Sequence, residues 1–315
     1  MTIKLILAVL VAVVALVAPF LLYPFLLMKM MCLALVAASF NLLFGFGGML
    51  SFGHAAFIGS AAYLTSYAAK VLHLDPMLSI LLGVATAALI GLAFGMVAIR
   101  RRGIQFAMIT LALSQLVYFV LLQAPFTHGE DGLQDVPRGM LFGIVSLQNS
   151  INMYYFILGT AVLAMAAIYR LVNSPFGQIL IAIRDNEAKA TSLGYNIHRY
   201  KLGLLVFAAA IAGLGGALKA LLFQIATLND ATYIASTEVV IVAVIGGLGT
   251  MSGPVLGASA IILLDWLFAE VEFPVMVVNG LVFMACVLMF RQGIAGGIDG
   301  IKSHWNVLAK RVANV

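Results

Sequence analysis

Charge is what this sequence has least of: 9% of its 315 residues are Asp, Glu, Lys or Arg, against 63% hydrophobic. A water-soluble domain carries about a quarter charged residues. That scarcity excludes a soluble enzyme and, despite a net charge of +5, a free nucleic-acid-binding module. In such an apolar chain basic residues mark cytoplasmic loops instead. No polar stretch is long enough to build a separate soluble domain. Cysteine is limited to Cys32 and Cys286, both inside apolar runs, which leaves no disulfide framework and no metal-ligand spacing. The chain lacks the Gly-x-x-x-x-Gly-Lys-Ser/Thr phosphate loop and the G-x-S-x-G nucleophile elbow. It also lacks the roughly ten-residue alternating segments of an outer-membrane barrel.

What is there is one apolar run after another. A span needs about 20 apolar residues, and candidates lie near 5–23, 30–47, 54–72, 77–98, 104–123, 152–170, 202–224, 238–250, 254–269 and 274–290. The eighth and ninth are short and separated by a glycine-rich break, so eight to ten spans are expected. The fold class is all-α, a polytopic helical membrane protein whose residues 1–315 form a single transmembrane domain. Lys4 before the first apolar run resembles a signal peptide, but without a clear A-x-A site an uncleaved first span is expected.

With both termini cytoplasmic, the inner segments collect 13 of the 17 basic residues, among them Arg100, Arg101, Arg102, Arg184, Lys189 and Lys201. The opposite side collects Asp75, Glu130, Asp131, Asp135, Asp230, Glu270 and Glu272. This positive-inside asymmetry fixes the expected orientation. Three connections stand out: an acidic external loop at 124–151, a long internal loop at 171–201, and a short basic tail at 291–315.

The internal loop, NSPFGQILIAIRDNEAKATSLGYNIHRYK, reads as two short amphipathic helices. Ser174 caps a helix whose first residue is Pro175, and Ile179, Leu180 and Ile183 recur at helical spacing. Asn186 caps a second helix, Asp185 and Lys189 form an i,i+4 pair, and Gly194 supplies the stop. Helices this short need something to pack on. The pattern leaves two readings open, an interfacial helix on lipid or a docking element for a cytoplasmic partner.

Glycine-rich breaks interrupt the apolar pattern twice, in GFGGMLSFGHAAFIG at 45–59 and GGLGTMSGPVLGA at 246–258, and the two share a loose Gly-Gly…Ser-Gly pattern. Paired breaks of this kind point to a transport path, because irregular backbone at membrane depth survives where it lines a cavity or is buried in protein. The path candidates are Asn41, Gly47, Gly48, Ser51, Gly53, His54, Gln115, Gly246, Gly247, Gly249 and Ser252. Close helix packing through small residues is the competing reading, and it accounts for Ala209–Gly213 and Ala212–Gly216. His54 is expected to be structural. Lys219 snorkels to the outer surface or attracts a carboxylate, and Glu238 and Asp265 sit near span ends.

Several strings together resemble the permeases of branched-chain amino acid ABC importers: LSFGHAAFIGSAAY, RRRGIQFAMITLA, the T-x-G-x-D-G-L of THGEDGL, SPFGQILIAIRDNEAKATSLGYNIHRYKLGLLVFAAAIAGLGGAL, and VIGGLGTMSGPVLGA. They occur in family order between about residues 40 and 265. NEAKATSLG is similar to the coupling loop that such permeases seat in their ATPase subunits, matching at Glu187, Ala188 and Gly194, with Lys189 where a second alanine is usual. The resemblance implies a coupling loop of Ser174, Pro175, Arg184, Asn186, Glu187, Ala188 and Gly194. It also implies an external mouth at Thr127, Gly129, Asp131 and Gly132. It further implies two ATPase subunits that use ATP and Mg, a second and related permease chain, a periplasmic solute-binding protein, and a bacterial inner-membrane location. No metal and no cofactor of its own is expected. The same resemblance covers urea, short amides and aromatic acids as solutes. Two readings of other classes compete. An ion-coupled secondary transporter has Asp265 as its nearest coupling group, and an intramembrane serine hydrolase would pair Ser259 with His54.

Overall fold

In a computed structural model of the chain, residues 14–268, 280, 281, 283, 284, 288 and 293–296 are described. The tenth expected span, the basic tail and most of the first span fall largely outside them. Among the described residues up to 268, ten α-helices follow the helical residues 14–21. They are α1 (Pro24–Phe40, continued by a π-helical turn, Asn41–Phe46), α2 (His54–Lys70), α3 (Pro76–Ala98), α4 (Ile104–Gln123) and α5 (Ser150–Val172). Then come α6 (Pro175–Asp185), α7 (Glu187–Ser192), α8 (Ile197–Phe223), α9 (Tyr233–Gly246) and α10 (Gly253–Phe268). A two-residue hairpin, Met140–Leu141 against Val145–Ser146, decorates the loop between α4 and α5.

Helix starts follow local chemistry. Proline at the first position of α1, α3 and α6 needs no amide partner and has its φ already set for a helix. Asp75 caps α3 by accepting from the Met77 amide at 2.9 Å, and its other oxygen accepts from the Phe142 amide at 2.7 Å. One carboxylate thus starts a helix and holds the hairpin down.

Helix α8 is the axis of the molecule, packing against α1, α2 and α3. In its most apolar stretch 72% of residues are buried, and 61% in α1, against 28% in α4 and 22% in α5. The outer helices instead present Met108, Phe119, Val162 and Leu163 outward, as a lipid-facing surface requires. The small residues of α8 permit the close approach: a Cβ on Gly213 would strike Ala87, and one on Gly216 the carbonyl of Ile58. That is the packing expected at Ala209–Gly213 and Ala212–Gly216.

The first glycine-rich stretch runs through the bundle rather than around its end. Gly47 lies against Leu204, while Ile58 lies against Gly216, about 18 Å further along α8 at the helical rise per residue. Ser51, Gly53 and His54 are all buried. The break itself is shorter than the 45–59 stretch: Gly59 belongs to α2, where it packs on Ala231. Helix α9, of 14 residues, falls short of the ~20 residues of a full crossing, and α10 is described as far as Phe268. They meet at the second break, where a Cβ on Gly246 would strike the carbonyl of Gly253.

Candidate functional site

Side chains from the flanking helices satisfy the backbone of both breaks. Asn41, at the start of the π-helical turn, accepts from the Gly249 amide and donates to the Thr250 carbonyl, both at 2.7 Å. Ser236 on α9 does the reverse service, donating to the Phe52 carbonyl at 2.7 Å and accepting from the Ala55 amide at 2.9 Å. Thr110 on α4 accepts from the Phe52 amide at 3.1 Å, and Ser51 from the Gly53 amide at 3.1 Å. An unpaired backbone group at this depth costs several kcal/mol, so these side chains are what permit an irregular segment here. The main chains also touch: a Cβ on Gly45 would meet the Asn41 side chain and the Gly249 amide.

Next to the breaks sits the 171–201 loop, built as its residues require. Ser174 accepts from the Gly177 amide at 3.3 Å ahead of Pro175, and Leu180 and Ile183 are buried. Asn186 is extended, with φ −155°, and caps α7 by accepting from the Lys189 amide at 3.0 Å. Gly194, at φ +86°, ends α7: its amide bonds the Thr191 carbonyl at 2.9 Å and the Tyr195 amide the Ala190 carbonyl at 3.3 Å. This pairing is the Schellman cap that glycine favours. The expected Asp185–Lys189 pair does not form. The extended Asn186 separates the two residues onto different helices, and Asp185 is taken by Arg184 at 2.9 Å.

Arg184 ties loop to break. Its Nη1 donates to the Gly45 carbonyl at 2.6 Å, while a Cβ on Gly48, which adopts φ +67°, would lie 2.7 Å from the Arg184 Cγ. Glycine is therefore required at 48 on two counts, backbone sign and the passing arginine. Glu187 faces inward, held by Arg102 and Lys201 at 3.2 Å each. These groups and Gly47 line an open cavity of about 140 Å³. The outward surface of the loop is Ala188, Lys189, Leu193 and Tyr195, with Leu193 68% exposed.

The remaining candidates scatter. His54 is wedged between the rings of Phe40 and Phe57, at 5.3 and 5.9 Å, and Ser259 spends its hydroxyl on the Leu256 carbonyl, so no serine–histidine pair exists between them. Gln115 lies apart from the breaks on α4, its Nε2 buried without a hydrogen-bond partner. Gly246 is buried, and Gly247 and Gly249 have positive φ, +115° and +74°. Ser252 is exposed. At the opposite end of the bundle, Thr127 is buried and donates to the Leu121 and Ala124 carbonyls. Gly132 (φ +67°) lies where a Cβ would strike the Ala226 carbonyl. Gly129 also has positive φ, and Asp131 is exposed. Most of these residues fix the loop, which further bonds α8: Arg138 donates to the carbonyls of Leu221 and Leu222.

Sequence reasoning missed Ser236, Thr110, Arg102, Lys201 and Asp230 as partners. A serine or threonine inside an apolar run carries no signal of which distant backbone it serves. Asp230 and Lys219 form an ion pair at 2.6 Å, so Lys219 has a partner where snorkelling was one of two expectations.

Residues 22–290 match the profile of the branched-chain amino acid transport system permease component. Two curated relatives are the high-affinity branched-chain amino acid transport system permease proteins LivM of Escherichia coli K12 and of Salmonella typhimurium LT2. Each is 26% identical over 279 residues, covering 81% of this chain and 65% of the relative. The chain thus spans about two thirds of the length of these relatives. No solved structure matches it. With the match running from before α1 to beyond α10, the chain belongs to the branched-chain amino acid transport permease family.

Proposed function

We propose that this chain is the membrane-spanning subunit of an ATP-driven importer that moves branched-chain or other hydrophobic amino acids inward across a bacterial inner membrane. The end of the bundle bearing the 171–201 loop faces the cytoplasm, in line with the basic residues gathered there and the positive-inside rule. Two ATPase subunits, using ATP and Mg, dock on the loop through its exposed surface around Ala188, Leu193 and Tyr195. A second, related permease chain completes the pathway, and a periplasmic binding protein delivers solute at the opposite end, over the 124–149 loop.

The observation that supports this reading best is the chain of contacts from Arg184 through Gly45 and Asn41 to Gly249. A loop pushed by a partner cannot move without moving both breaks. ATP binding in the partner shifts the loop, and the differential contact energy of the two loop positions biases the permease between inward-open and outward-open forms. The inward-facing Glu187 makes it a brace that sets the loop's position, leaving docking to its exposed neighbours.

The test is leucine uptake into proteoliposomes holding the chain with its co-purified partners. Uptake that needs both ATP and the ATPase chains supports the reading. Uptake driven by a proton or sodium gradient without an ATPase chain overturns it.

A further inference from the structure

Five ionisable side chains meet at one place toward the 124–149 end of the bundle, and the contacts described so far leave one of them unused. Lys219 pairs with Asp230 at 2.6 Å, and Lys29 approaches Asp265 at 3.8 Å. Glu238 forms no ion pair among the described residues, and it is exposed. Lys29, Lys219 and Glu238 each lie four or five residues from an end of their helix, about 6–8 Å in at the helical rise, so all three share one depth below the rim. Charged groups on a spanning surface are not turned to lipid; they face a polar path or one another.

Lys29, Lys219, Asp230 and Glu238 line one open cavity, whose other wall is apolar and includes Val36, Ile58 and Val239. A mostly apolar lining with a few convergent polar groups is the pattern of small-molecule sites. Glu238 also borders a second, aliphatic cavity containing Ile234 and Ile241. The Lys219 ammonium has three donors and gives one to Asp230, so two remain for a ligand.

We propose that this cavity is a binding station for a zwitterionic amino acid with an aliphatic side chain. Lys219 takes the carboxylate, Glu238 the ammonium, and the apolar wall the side chain. The station rests on the import reading above and gives it a substrate site on this chain.

The experiment uses the assembled complex in proteoliposomes, with leucine as probe, and reads uptake per ATP hydrolysed. Glu238→Gln and Glu238→Ala are expected to lower it at least tenfold while ATP hydrolysis persists, and Glu238→Asp is expected to restore part of it. Lys219→Gln strands Asp230, so the double variant Lys219→Gln/Asp230→Asn is compared alongside, with the same loss expected. In a second measurement, external leucine protects Ala235→Cys, which lines the same cavity with Glu238 intact, from a thiol reagent on a Cys32→Ala background, whereas 4-methylpentanoate and isopentylamine, each carrying one of the two charges, protect far less. Wild-type uptake with unchanged Glu238 variants overturns the station and leaves the import reading standing. So does protection by the single-charge compounds equal to that by leucine, or the absence of protection. Wild type without any ATP-driven uptake overturns the import reading instead.

Discussion

At the scale of single residues, Asn41 carries the most structural work. Its side chain closes one amide and one carbonyl of the other break, and a buried polar group left unpaired costs about 1–3 kcal/mol. Asn41→Ala should therefore lower thermal stability in detergent clearly. Asn41→Asp, which sets a buried carboxylate oxygen against the Thr250 carbonyl, should fall at least as far; equal melting of all three would show that the bridge contributes nothing. Glycines divide by cause. Gly194 has open space around the Cβ position and φ +86°, so Gly194→Ala costs only the left-handed backbone penalty of roughly 1–2 kcal/mol. Gly45 has ordinary φ but the Gly249 amide 2.5 Å from its Cβ position, so Gly45→Ala forces the breaks apart. Comparative melting of the two variants is expected to rank Gly45→Ala well below Gly194→Ala.

At the scale of elements, the caps of α6 and α7 were readable because capping is local: Ser174 and Pro175 stand beside the amide they serve, as do Asn186 and Gly194. The long-range partners were not readable for the opposite reason. Ser236 and Phe52 are separated by 184 positions, and only the packing of α9 against the first break brings them together. The Asp185–Lys189 expectation failed on the same ground, since one extended residue between two short helices cancels a helical spacing. Two serines supply the test. Ser236→Ala strips the partners of Phe52 and Ala55 and should destabilise by about 1–3 kcal/mol. Ser259→Ala removes only a bond to its own helix and should be near neutral, by the same melting assay. Comparable losses in both would mean that the break needs no such support.

At the scale of the whole molecule, hydropathy alone marked where helices lie, because lipid imposes the pattern directly. It could not mark that 47–53 threads the interior or that α9 stops short, since glycine-rich apolar sequence is compatible with either course. Orientation rests on the basic loop. A single cysteine introduced at Ser192 should react with a membrane-impermeant reagent from the cytoplasmic side only, and one at Asp131 from the outer side only; the reverse labelling would invert the topology. The central claim is that motion of the 171–201 loop reaches the breaks through Arg184. The measurement that tests it most directly is ATP-driven leucine uptake by Arg184→Met in the reconstituted complex, with ATP hydrolysis measured in parallel. The ATPase chains are expected still to assemble and hydrolyse ATP while uptake falls at least tenfold. Uptake at the wild-type rate would contradict it.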